Sequence, residues 1–175
     1  MEIQELKKRY ESFMPEERRI PVEELEKIGF FTNPAGRVHH GTKEGDLFIH
    51  SLAVAEVLVE ITEKLELKWE RPESPYIVGM YHDLCKSDDY KKDPDGEGFI
   101  WNKESILPGH GDKSLIMIQK YITLTDEEIA CIRWHMGAYE KDTRMWEYYG
   151  RAVTKYPNVL YTHTADMIAS KVVGI

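Results

Sequence analysis

The chain has 175 residues, 42% of them hydrophobic and 31% charged, with a formal net charge of −8. That length supports one sizeable core, and the acidic balance argues against a dedicated nucleic-acid scaffold, which would carry a basic surface, without excluding a small anionic substrate. No uninterrupted apolar run reaches about 18 residues, so no transmembrane helix is expected.

Met1 to Lys8 is charged and does not read as a signal peptide. Gln4 to Phe13 and Val22 to Phe30 are expected as short amphipathic helices separated by Pro15 and Pro21, from the stripes Leu6, Tyr10, Phe13 and Val22, Leu25, Ile28. Phe30 to Gly36 reads as a break. Residues 1–36 thus form a helical lead-in that caps the body, with the helical core in 37–175, and the whole 1–175 is read as a single domain. Arg37 to Asp46, carrying His39 and His40, is a polar loop, and Asp46 is the expected N-cap of the next helix. On that helix Leu47, His50, Val54, Leu58 and Ile61 share one face.

Lys64 to Pro75 is a charged connection, and Tyr76 to Cys85 an apolar helix closing in Tyr81-His82-Asp83-Leu84-Cys85-Lys86. Cys85 and Cys131 are the two cysteines and show no Cys-x-x-Cys spacing, so a disulfide framework or structural zinc site is not expected and a reducing cytoplasm is the default. Ser87 to Pro108 contains Asp93-Pro94-Asp95-Gly96-Glu97-Gly98 and reads as a long loop or short hairpin at the mouth of a site. Helical spacing resumes at Gly109-His110-Gly111-Asp112-Lys113-Ser114 and runs through Leu115, Ile118 and Ile122. Thr125 and Glu128 form a capping-box signature, followed by Ile129, Ile132 and an inward His135. Asp142 to Tyr156 is an aromatic-rich helix, and Val159 to Val173 carries His163, Asp166 and Met167. The fold class is all-α, and no helix shows a heptad seam that would specify an oligomer.

A buried carboxylate needs a partner or a metal. His50, His82-Asp83, His110, His135 and Asp166 each sit on, or at the end of, a different expected helix. Metal sites in helical folds are built from such inward side chains on facing helices. Without a metal, every one of these groups would need its own hydrogen-bond partner.

The order His50, His82-Asp83, Asp166 resembles the HD-domain superfamily of metal-dependent phosphohydrolases, and His110 and His135 resemble the extra pair in members that hold two metals. The stretches His39 to Gly45 and Gly109 to Ser114 are similar to small bacterial and phage HD hydrolases and to the HD part of certain 3′-to-5′ exoribonucleases. The resemblance spans roughly residues 37 to 170 and implies a compact HD-type helical bundle. Those exoribonucleases carry an oligonucleotide-binding barrel before the HD part, where short helices stand here. Cys85 precedes Lys86 where the superfamily's signalling-nucleotide phosphodiesterases have Gly, and their Gly-Tyr-Pro motif is absent. Processive RNA degradation and cyclic-dinucleotide cleavage are therefore not carried over.

The resemblance implies that His50, His82, Asp83 and Asp166 hold one metal, with Asp83 bridging to a second held by His110 and His135. Imidazole with carboxylate suits Mn, Fe, Ni, Co or Zn. The implied reaction is attack of a metal-activated water on a phosphate ester, the substrate being a small phosphorylated molecule such as a nucleotide. Lys86 is a candidate catalytic and substrate-binding group, or a lysine favoured at a helix end. Lys113, Arg133, His39 and His40 are further substrate-binding candidates. His163, three residues before Asp166, is placed to orient a ligating group. Trp101, Trp134 and Tyr139 could stack on a base. Two other functions fit the same ligands: a di-iron oxygenase of this superfamily, and a non-catalytic nucleotide or metal sensor.

Overall fold

In the lead-in, helix α1 (Ile3–Phe13) buries Leu6 and Tyr10, as its stripe requires. The computed structural model describes residues 2–36, 41–137 and 142–174, so His39, His40 and Tyr139 lie outside the described residues. Helix α2 (Val22–Lys27) is shorter than the expected 22–30. Gly29, at φ +83°, turns the chain into the left-handed region, and Phe30 N–H donates to the Leu25 carbonyl while Gly29 N–H donates to that of Glu26. This is a Schellman stop, which satisfies carbonyls the helix end leaves free. Leu6, Tyr10, Met14, Ile20, Leu25, Phe30 and Phe31 join one continuous hydrophobic cluster with the helices that follow.

Helix α3 (Asp46–Lys64) directs Leu47, His50, Val54 and Leu58 inward. Its N-cap is Gly45, not the expected Asp46. The Asp46 carboxylate instead accepts the Lys43 N–H at 2.7 Å and closes the turn before the helix. Helix α4 (Ser74–Tyr81) starts with Pro75 in its first turn, where a missing N–H costs nothing. All its residues but Tyr76 are buried, so it is apolar nearly all round and sits centrally. Gly79 makes its contact with α3 possible: a Cβ there would lie 2.4 Å from Ala55 Cα.

The apolar helix expected over Tyr76 to Cys85 stops at Tyr81. Beyond it the chain winds more tightly, with i to i−3 bonds from Leu84 to Tyr81, Lys86 to Asp83, Ser87 to Leu84 and Asp88 to Cys85. The short helix α5 (Lys86–Asp89) leads into an antiparallel hairpin, β1 (Tyr90–Lys92) with β2 (Phe99–Trp101), in register Tyr90–Trp101, Lys91–Ile100 and Lys92–Phe99. The expected long loop thus carries a short hairpin, its turn closed by Asp93 N–H on the Gly98 carbonyl.

Helix α6 (Gly111–Ile118) and helix α7 (Asp126–Trp134) follow, the latter opened by the complete Thr125–Glu128 capping box. The helix expected over 142–156 is a 3₁₀ turn, Thr143–Met145, followed by α8 (Trp146–Lys155). Asp142 caps that turn by accepting the Arg144 N–H at 3.0 Å. The last expected helix is α9 (Asn158–Ile168), continued by a π-helical turn over Ala169–Val173. Helix α3 lies along α4 and α9, and α7 packs on α4, α6 and α9. The fold is a helical bundle. Among the described residues no helix is long and apolar enough to cross a membrane.

Candidate metal centre

Two ends of helices supply matching imidazoles. His82 is the C-cap of α4 and His135 the C-cap of α7. The last carbonyls of a helix have no intrahelical donor. Here each histidine fills one of its own, Nδ1 lying 2.8 Å from the Gly79 carbonyl for His82 and 2.7 Å from the Ile132 carbonyl for His135. A carbonyl only accepts, so in its neutral form each ring carries its proton on Nδ1 and presents a bare Nε2. Both rings are fully buried, and both Nε2 atoms lack a hydrogen-bond partner.

Asp83 stands between the two sides of the cluster. Its Oδ1 lies 2.7 Å from His110 Nε2 and 3.5 Å from His135 Nε2. Its Oδ2 lies 3.6 Å from His50 Nε2, 3.5 Å from His82 Nε2 and 2.5 Å from Lys86 Nζ. Oδ1 is buried and, despite the short approach of His110, aligned with no hydrogen-bond donor. The tight winding after α4 accounts for the lysine, because residues three apart eclipse one another in a 3₁₀-like turn. On the far side Asp166, from α9, has Oδ1 3.3 Å from His50 Nε2 and accepts the Ser170 hydroxyl at 3.1 Å.

His110 reaches this cluster through its two glycines. Gly109 has φ +98°, and a Cβ on Gly111 would lie 2.5 Å from the Arg133 carbonyl. The pair lets the start of α6 run against the end of α7, bringing the rings of His110 and His135 to 5.0 Å between centroids. His163 Nδ1 lies 2.7 Å from the His135 carbonyl, and its ring fills the space that a side chain at Gly137 would need. It therefore holds the backbone that carries a ligand candidate.

The electrostatics are those of a charged cluster withdrawn from water. Burial alone would raise the Asp83 pKa, but Lys86, then His82 and His110, hold it well below the usual carboxylate range. Burial likewise opposes ionisation of Asp166, and the hydrogen bond with His50 together with the charges of His82 and His50 outweighs it, lowering its pKa. Burial pushes His82 down and keeps it neutral. For His135 burial is outweighed by Asp83, which raises it. Lys86 is raised too, its burial offset by Asp83.

Three overlapping groups have ligand atoms all within 4.8 Å of one another: His50, His82, Asp83; His82, His135, Asp166; and Asp83, Cys85, His110. The six metal-ligand candidates from the sequence thus converge on one place, and Cys85 is an addition that sequence reasoning missed. Its signal, a sulfur two residues beyond the aspartate, becomes readable only once the helix is known to end at Tyr81.

The other candidates are placed differently. Lys113 is 1% exposed, its ammonium bound by Asp88 at 2.7 Å, Asp89 at 2.5 Å and the Ser105 hydroxyl at 2.7 Å. It fastens the residues on either side of the hairpin to α6. Arg133 pairs with Asp112 at 2.5 Å and lies over the Trp134 ring at 4.2 Å.

The family model of the HD domain matches residues 47–166, most of the chain. The chain belongs to the HD-domain family. That superfamily comprises metal-dependent phosphohydrolases, and the match runs from the first turn of α3 to Asp166, enclosing every ligand candidate of this HD domain. No curated protein and no solved structure matches the chain. The donor set fits the divalent metal that the family implies, since bare Nε2 atoms and a carboxylate oxygen without a donor are what a cation satisfies.

Proposed function

We propose that this HD domain hydrolyses the phosphate ester of a nucleotide or a related small phosphorylated molecule, using one or two ions of Mn, Fe, Ni, Co or Zn. The observation that carries the reading is the convergence of three buried groups without hydrogen-bond partners, His82 Nε2, His135 Nε2 and Asp83 Oδ1. In this reading His50, His82, Asp83 and Asp166 hold one ion, and Asp83, His110 and His135 the other. Ions held there polarise a phosphoryl oxygen and bring the pKa of a coordinated water toward neutrality.

The residues of the chain do the rest. Asp83 offers Oδ2 to the His50–His82 side and Oδ1 to the His110–His135 side, which suits a bridging carboxylate. The main-chain carbonyls of Gly79 and Ile132 keep His82 and His135 in the tautomer that leaves Nε2 free. Lys86, with Nζ 2.5 Å from Asp83 and a partly exposed side chain, is placed to stabilise negative charge on a phosphoryl group entering beside it. His110 has 30% of its side chain exposed and marks the open side of the cluster. The acidic chain argues for a small substrate over nucleic acid. The free, buried thiols of Cys85 and Cys131 suit a reducing cytoplasm.

The test is phosphate release from a panel of nucleotides, phosphorylated small molecules and short oligonucleotides, with Mn, Ni, Fe or Mg added and Asp83→Ala alongside. Turnover that vanishes in the variant supports the hydrolase. Silence across the panel with metal still bound would overturn it.

A further inference from the structure

The histidines around the centre do not all have the same kind of support. His82, His135 and His163 each direct Nδ1 at a main-chain carbonyl. His110 Nδ1 lies instead 3.2 Å from the Sγ of Cys85. We infer that Cys85 is a positioning residue for His110: its sulfur accepts the Nδ1–H and so holds Nε2 toward Asp83 Oδ1, setting the affinity for the ion that His110 helps to hold. This inference rests on the two-ion reading above.

Three contacts close a ring between the turn after the doublet and the first turn of α6. Cys85 N–H donates to the Ser114 hydroxyl at 3.1 Å. Ser114 N–H donates to the His110 carbonyl at 3.0 Å. His110 Nδ1 meets the Cys85 sulfur, returning to the first residue. The main chain of Cys85 is thereby fixed to the same helical turn whose N-cap carries the imidazole.

The ring of His110 needs such a tether more than its neighbours do. His82 and His135 have at most 1% of their side chains exposed, whereas His110 has 30%. Close packing orients the first two, while His110 has solvent on one side. The two nitrogens of an imidazole lie on different edges of the ring, so fixing Nδ1 on the sulfur fixes where Nε2 points. What it points at is Asp83 Oδ1, a carboxylate oxygen that is buried and aligned with no hydrogen-bond donor. Groups that orient a metal-bound histidine typically change metal affinity by about 10–100-fold when removed.

The experiment titrates metal-free wild-type protein, Cys85→Ala and Cys85→Ser with cobalt(II), resolving the two binding steps by calorimetry and recording the absorption spectrum of each loaded form. In wild type two ions are expected. In Cys85→Ala the His110-side ion should weaken by about 10–100-fold while the other keeps its affinity, which also shows that the variant is folded. Cys85→Ser retains an acceptor and should recover most of the loss. No sulfur-to-cobalt charge-transfer band is expected. Unchanged binding of both ions by Cys85→Ala would overturn the inference and leave the two-ion centre standing. A charge-transfer band that disappears in Cys85→Ala would overturn it differently, by making the sulfur a ligand. A wild-type protein that takes up a single ion ends the two-ion reading and this inference with it.

Discussion

His82 and His135 occupy the same position on two different helices, each directly after the last turn of its helix, with Nδ1 on the carbonyl three residues earlier. Their rings meet edge to face at 4.9 Å between centroids, within one cluster around Asp83. Each end of a helix thus solves two problems together: a carbonyl without an intrahelical donor gains one, and an imidazole is fixed in the tautomer that binds a cation. On this account His110, which lies outside that pattern and approaches Asp83 at Oδ1, is a candidate whose loss should separate the two ions.

Replacing His110 by Ala should therefore cost one ion and spare the other. Elemental analysis of the dialysed, metal-loaded protein checks this. Equal metal content in variant and wild type would place His110 outside the centre.

Lys86→Met should bind metal but turn over slowly. Its ammonium is held on Asp83 Oδ2 at 2.5 Å and is available to charge that develops on a phosphoryl group. Loss of one such stabilising group costs about 10²–10³ in kcat. Steady-state kinetics beside metal stoichiometry checks the split, and an unchanged kcat would reduce Lys86 to a charge partner of Asp83.

Gly79→Ala should destabilise the bundle without any direct loss of chemistry. The new Cβ would lie 2.4 Å from Ala55 Cα, main-chain structure that cannot swing aside. Overpacking of this kind costs about 1–3 kcal/mol, and each kcal/mol lowers Tm by roughly 2–4 °C at this size. Gly150→Ala on α8 is the matched control, because nothing lies within 4 Å of its Cβ position. It should be neutral or stabilise by about 0.4–1 kcal/mol. Thermal unfolding of both variants makes the comparison.

The anchoring of the hairpin should depend on pH through Asp88 and Lys113. Although burial opposes it, Lys113 with Ser105 and Asn102 holds the Asp88 carboxyl below its usual range. Its contribution is therefore present above the ordinary carboxylate pKa of about 3.9 and is lost as pH falls through the depressed folded value. Lys113 is raised, its burial outweighed by Asp88 and Asp89. Its contribution is complete below the ordinary lysine pKa of about 10.4 and is lost as pH rises through the folded value. The indole NMR signal of Trp101, whose ring lies 4.9 Å from that of Tyr90, should hold steady between these limits and move below the lower one. In Lys113→Met it should already be displaced at neutral pH. A signal indifferent to both changes would show that the anchor lies elsewhere.

Much of this was legible in the residues. The stripe of α3 with His50 among Leu47, Val54 and Leu58, and the capping box before α7, are local patterns, and local patterns survive folding. Gly109-His110-Gly111 was visible as a motif, but its reason was not: one glycine turns the chain and the other admits the Arg133 carbonyl, a contact between helices. The end of α4 at Tyr81 was missed because an apolar run does not mark where i to i−4 bonding gives way to i to i−3. That switch places Lys86 over Asp83. Lys113 reads as a surface cation in the sequence, yet its partners Asp88 and Asp89 come from α5 and Ser105 from the segment after the hairpin, which only the folded chain brings to it.

The central claim is that the buried imidazoles and carboxylates around Asp83 form a metal centre. Its most direct test is the metal content of wild-type protein and Asp83→Asn after loading with Mn and exhaustive dialysis, each shown to be folded by circular dichroism. The account predicts bound metal in the wild type and none retained by the variant, because Asp83 faces both sides of the cluster. Equal metal in two folded proteins, or none in either, would contradict it.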